Sequence, residues 1–136
     1  MILATAQTES NFNVNAVNDN LNSKGQVTST DYGVMQVNSK NIGGTAIGPD
    51  GKSFTITDSI KSDWKANANA GVAIAAQEYR AAVKAQPNGT AESRAQQTYS
   101  GYNAGPGGRS RYTETGSFHG FADKRDYNFL MNYRSQ

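Results

Sequence analysis

The strongest structural signal in this chain is the stretch from Ala66 to Ala85, where Ala68, Val72, Ala75/Ala76, Tyr79 and Val83 recur at helical spacing and Pro87-Asn88-Gly89 ends the pattern. Its many alanines, with Gly71, permit close approach of a neighbouring helix. Thr90 then caps a second helix from Ala91 to about Tyr102, with Ala91, Ala95, Tyr99 and Tyr102 on its inner face. A last helix is expected over Asp123 to Tyr133, with Tyr127, Leu130 and Met131 facing inward. The sequence therefore specifies a mainly α fold with polar connections. Among these, Asn13 to Thr30 reads as a long surface loop, because it is rich in Asn, Ser and Asp and shows no apolar period. A short helix is expected from about Gly33 to Ser39, with Thr30 or Asp31 near its cap. Thr45-Ala46-Ile47 and Phe54-Thr55-Ile56-Thr57 flank Pro49-Asp50-Gly51 as a small β-hairpin. Asn103 to Gly108 reads as a tight glycine-rich loop.

Composition removes several classes of function. With 136 residues and no internal repeat or linker, the chain is expected to form one domain over 1–136, burying roughly 65 to 70% of its unfolded surface. Without cysteine, disulfides, thiolate metal sites and thiol nucleophiles are impossible. Thirteen basic and eleven acidic residues are scattered, and a net charge of +2 falls short of a nucleic-acid footprint. No apolar run is long enough for membrane insertion, and Met1-Ile2-Leu3-Ala4 lacks the length and basic flank of a signal peptide. Export arranged elsewhere or excision from a longer chain is expected. The second fits the first helix, which starts without a cap and would extend upstream.

That first helix carries the chemically most informative residue. Ile2, Thr5/Ala6, Glu9 and Phe12 share one helical face, so Glu9 stands where a core residue would go. Withdrawal from water raises a carboxyl pKa and lets it donate a proton near neutral pH. The ordinary alternative is a solvated glutamate where the helix ends near Asn11.

Four segments decide between these readings: Glu9-Ser10-Asn11-Phe12-Asn13; Asp31-Tyr32-Gly33-Val34-Met35-Gln36-Val37-Asn38-Ser39; Asp63 and Asn67 with Gly71; and Tyr102-Asn103-Ala104-Gly105-Pro106-Gly107. Together, and in this order, they resemble the soluble lytic transglycosylase catalytic domain, over nearly the whole chain from Ile2 to about Tyr133. The resemblance implies a lysozyme-like helical fold and cleavage of peptidoglycan between N-acetylmuramic acid and N-acetylglucosamine, with no metal or cofactor. Asn18 stands where many members have serine, and the stretch from Asn20 to Thr30 is long. These departures look more like the branch found in secretion, conjugation and phage machinery, which implies action in the bacterial cell wall or periplasm, with the protein virion-associated or part of a larger assembly.

Carried over by position, Glu9 matches the catalytic acid and Gln36 the glutamine beside it, with Asn38 on the same side and Asn18 in the serine's place. Tyr102 and Asn103 match the second signature, near the acid and the sugar N-acetyl group. Tyr127, with Arg125, matches a late Arg-x-Tyr element more loosely. Position 101 is glycine where alanine is common.

By the same resemblance, one acid suffices: Glu9 protonates the glycosidic oxygen while the substrate's own acetamido oxygen attacks the anomeric carbon. Glu9 then takes the proton of the C6 hydroxyl and a 1,6-anhydro ring closes. Two alternatives stand beside this reading. One is a goose-type lysozyme-like hydrolase, for which Asp19 and Asp31 are the acids near enough in sequence. The other is a non-catalytic wall-binding module, which has no need of a buried acid. Other residues read as structural. Met35, Val37, Tyr79 and Tyr99 are expected in the core, the tyrosines with bonded hydroxyls. Arg109 and Arg111 read as a solvated loop, with a minor role open toward stem-peptide carboxylates. Ser10 bonds locally, and His119 has no partner at metal-ligand spacing.

Overall fold

A computed structural model describes residues 1–111 and 124–136. The helix expected from Ala66 begins at Trp64, because the Asp63 carboxylate accepts from the N–H groups of Lys65 and Ala66 and caps it. With α1 spanning Ile2–Ser10, this helix is α2, Trp64–Ala85. Next comes α3, Ala91–Ala104, capped by the Thr90 hydroxyl on the Ser93 N–H, and then a 3-10 turn at Pro106–Arg111. The last helix is α4, Lys124–Arg134. The expected His119 loop and Asp123 lie outside the described residues.

Two readings of the middle of the chain are corrected. The expected loop from Asn13 to Thr30 contains a β-hairpin, β1 at Val17–Leu21 and β2 at Val27–Tyr32. Its strands are polar and largely exposed, so no apolar alternation marks them. The expected helix at 33–39 does not form. Gly33 and Gln36 both take positive φ, which no α-helix tolerates. The chain instead makes a turn, a short strand β3 at Val37–Asn38, and a 3-10 turn at Ser39–Asn41. The sheet order is β1-β2-β3, antiparallel, with Asn18 opposite Asp31 and Asp31 opposite Asn38. The one expected hairpin is present as β4, Thr45–Ile47, paired with β5, Ser53–Thr55.

Two apolar clusters meet at α1. Ala6 joins Met35, Val37, Ile56, Ile60 and Ala70 on the sheet side, while Ala4 joins Ala95, Tyr99 and Phe129 on the helical side. The Tyr99 and Phe129 rings stack at 4.6 Å and 4°, an arrangement worth about 0.5 to 1.5 kcal/mol beyond its buried area. Over Gly71 the occupant is the Met35 side chain rather than a helix: a Cβ there would lie 2.4 Å from the Met35 Cβ. Met35 and Val37 are core residues, as expected.

The buried faces of the helices differ from the apolar stripes. On α2 the buried row is Asn67, Ala70/Gly71, Ala75, Glu78 and Ala82, which leaves Tyr79 exposed. Asn67 and Glu78 are polar groups satisfied inside, so hydropathy misplaces the face by one residue. On α3, Ala91 is exposed while Ala95 and Tyr99 are buried. On α4, Asp126 and Phe129 join Leu130 inside, and Tyr127 is 38% exposed. None of the helices among the described residues is long and apolar enough to cross a membrane.

Candidate active site

Glu9 is the penultimate residue of α1, and the helix stops there because Asn11 and Phe12 turn into the left-handed region. Phe12 therefore leaves the apolar face it was expected to extend and is 48% exposed. The turn releases the chain toward β1, so the Glu9 carboxyl opens into a groove of about 650 Å³. Asn18 and Asn20 of β1, Ser29 and Asp31 of β2, and Gln36 and Asn38 line its sheet side. Tyr102, Asn103 and Arg125 line its helical side.

Six of the seven residues singled out from the sequence therefore converge: Glu9, Asn18, Gln36, Asn38, Tyr102 and Asn103. Tyr127 is not among the lining residues; the neighbouring Arg125 is. A helical turn separates inward from outward positions within two residues, and Asp126 takes the inward one.

The hydrogen bonds refine what each residue does. Asn103 donates its Nδ2 to Glu9 Oε1 at 2.9 Å. Gln36 donates to the carbonyls of Gly33 and Ala16 and accepts from Asn18 Nδ2 at 2.7 Å, so its amide braces the turn against β1. The Tyr102 hydroxyl donates to the Met35 carbonyl at 2.5 Å, tying the same turn to α3. Burial holds the Tyr102 phenol well above its usual pKa range and keeps it a donor. On the facing strands, the Asp31 carboxylate accepts from Asn20 and Asn38.

Burial pushes the Glu9 pKa up, with a smaller contribution of the same sign from the charge of Asp31. The amide N–H of Asn103, the proximity of the Tyr99 hydroxyl and the charge of Arg125 oppose this without cancelling it. Tyr99 is 1% exposed, and among the described residues its hydroxyl has no partner of good hydrogen-bond geometry, contrary to the expectation for a core tyrosine. It lies close enough to Glu9 to couple with the carboxyl, and burial with that negative neighbour drives its own pKa far up. The result is an acid that retains its proton at higher pH than a solvated glutamate.

The arginines expected in a solvated loop are paired. Arg109 forms a two-pronged ion pair with Glu78 at 2.6 and 3.0 Å. Arg111 does the same with Asp126 at 2.6 and 2.8 Å and also donates to Asn103 Oδ1 at 3.0 Å. Ser10 bonds locally to the Ala6 carbonyl, as expected, and also to that of Val34. From the sequence Tyr99 was legible only as a core residue, Arg111 only as a loop residue and Asp126 only as a position in the last helix, since nothing in their spacing ties them to Glu9.

A mainly helical, lysozyme-like fold with a desolvated glutamate at the end of its first helix is the framework of a glycan-cleaving domain. The chain belongs to the transglycosylase SLT domain family, whose model matches residues 1–123. That family comprises lytic transglycosylases of peptidoglycan, the polymer of the bacterial cell wall and periplasm. No curated protein and no solved structure matches the chain significantly.

Proposed function

We propose that this domain cleaves the β-1,4 bond between N-acetylmuramic acid and N-acetylglucosamine in peptidoglycan and leaves 1,6-anhydro ends, with Glu9 as acid and then base. The observation that carries the reading is the state of Glu9: desolvated, raised in proton affinity, and facing a groove with an amide N–H ready to receive the carboxylate that forms. As the glycosidic oxygen takes the Glu9 proton, the acetamido oxygen of the same sugar closes on the anomeric carbon. The Glu9 carboxylate, held by Asn103, then removes the C6 hydroxyl proton as O6 displaces the acetamido oxygen. Proton and bond counts close without water.

Asp31 favours a second reading. It lines the same groove and is the negative charge that adds to the proton affinity of Glu9, so a hydrolase using Asp31 to stabilise the oxocarbenium ion or direct water is chemically available. The two reactions differ in product. Digestion of purified sacculi in ¹⁸O-labelled water, read by mass spectrometry, should give anhydro ends free of label. Labelled reducing ends as the main product would replace transglycosylation by hydrolysis. Asn18 in place of the serine and the long stretch from Asn20 to Thr30 support, by resemblance alone, a domain working within secretion or phage machinery.

A further inference from the structure

An asparagine amide is nearly symmetric in shape, and its neighbours decide which end faces which group. At Asn103 the two ends meet opposite demands: Nδ2 contacts Glu9 Oε1, and Oδ1 contacts Arg111 Nη1. A guanidinium carries only donors, so the end facing Arg111 must be the carbonyl oxygen. The guanidinium is itself fixed, because its other edge is held by both oxygens of Asp126, a carboxylate 3% exposed. The Ser100 hydroxyl donates to the same carboxylate at 3.0 Å.

We propose that Arg111 and Asp126 are positioning residues that lock the Asn103 amide with its N–H₂ end toward Glu9. The orientation has a chemical consequence. An N–H pointed at Glu9 stabilises the carboxylate and so eases release of the proton; a carbonyl in its place would accept from the protonated acid and hold the proton back. The chain Asp126–Arg111–Asn103 thus favours the charged form of Glu9 that appears when the leaving oxygen is protonated. It also couples that event to the seating of α4 and of the 106–111 turn against α3, since the three residues come from these three elements.

Other groups act on the same carboxyl. Asp31 on β2 opposes its ionisation, Arg125 on α4 favours it, and Tyr99 couples to it from the same helix as Asn103. Of these groups, Asn103 is the one whose two chemically opposite ends face Glu9 and a fixed guanidinium. The proposal rests on Glu9 being the acid, and the test separates the two claims.

Arg111→Lys keeps a cation beside Asp126, but an ammonium lacks the planar fork that serves two partners at once. In this variant the Glu9 titration, followed by ¹³C NMR of its carboxyl, should move to higher pH, and the alkaline limb of the kcat profile should move with it. At neutral pH kcat should fall on the order of tenfold with little change in KM, the equivalent of one hydrogen bond to a charged group. In an Asn103→Ala background the same substitution should add no further shift, because the amide it acts through is gone. A shift of equal size in that background would mean that Arg111 reaches Glu9 by a route other than the Asn103 amide and would overturn the proposal, as would an unmoved titration in Arg111→Lys. In the unmodified protein the Asn103 amide protons should report the Glu9 titration, and an amide indifferent to pH would overturn it without any variant. Because the NMR titration needs no turnover, an inactive or differently acting Glu9 would show itself separately.

Discussion

The side chain of Asn67 occupies the space above Gly33, where a Cβ would lie 2.5 Å from the Asn67 Cγ. From there it accepts from the Met35 N–H at 3.0 Å and donates to the carbonyls of Tyr32 at 2.6 Å and Ile60 at 3.1 Å. One fully buried amide thus satisfies the backbone of the turn that carries Gln36. Asn67→Ala strands three backbone groups, two of them in fully buried bonds, and is expected to cost about 2 to 4 kcal/mol. The urea midpoint should fall accordingly, with activity falling further at temperatures where the fold persists. A loss below about 1 kcal/mol would mean that the turn holds itself.

Glu9→Gln preserves size and can still accept from Asn103, yet it cannot donate and recover a proton. Lysis of sacculi should drop by ~10²-fold or more while circular dichroism stays unchanged. Near-normal turnover would remove Glu9 from the mechanism.

The same substitution should alter stability in a pH-dependent way. The folded pKa of Glu9 lies above its unfolded value, so between the two the native state holds a proton that the unfolded chain has released. Stability from this group is therefore complete below the unfolded pKa and is lost as pH rises through the folded one. Glu9→Gln removes that loss: its Tm should exceed that of the parent above the window, and the gain should vanish at acidic pH. A gain independent of pH would point to packing instead.

Asp31→Asn distinguishes the two reactions on the enzyme side. Under substrate-assisted transglycosylation the rate should stay within roughly tenfold, and the Glu9 titration should move down, because a negative neighbour is gone. A loss of ~10²-fold or larger would assign Asp31 a catalytic part and favour hydrolysis.

Glycine at position 101 has a local cause. A Cβ there would stand 2.3 Å from Glu78 Oε2 and 3.0 Å from the Arg109 Cγ, within the ion pair that holds the 106–111 turn. Gly101→Ala should cost about 1 to 3 kcal/mol through overpacking. Combined with Glu78→Ala, the total should fall short of the summed single costs by roughly 1 kcal/mol or more in chemical denaturation. Strict additivity would show that the two sites do not compete for space.

The helices were legible through apolar spacing and through Pro87-Asn88-Gly89 and Thr90 between α2 and α3, whereas the Asp63 cap, which starts α2 at Trp64, was not read from the sequence. The groove residues were legible through motif resemblance, which placed Glu9, Gln36 and Asn103 together before any contact was known. Periodicity failed where polar groups are buried or strands are polar. Asn67 and Glu78 turn the inner face of α2 away from its apolar stripe. The β1–β2 hairpin shows asparagine, serine and threonine where half-buried strands alternate. The orientation of Asn103 is a further case, since it depends on Arg111 and Asp126, and the ion pair joining these two has no sequence signature.

The place where α1 ends has an electrical meaning. A helix gathers partial negative charge at its carbonyl end, and Glu9 sits in the final turn of α1 with no basic side chain there to offset it. An anion at that place meets the field of its own backbone. Ending the helix one residue after the acid therefore makes the chain itself a proton-retaining device, one that no substitution on α2, α3 or α4 can switch off.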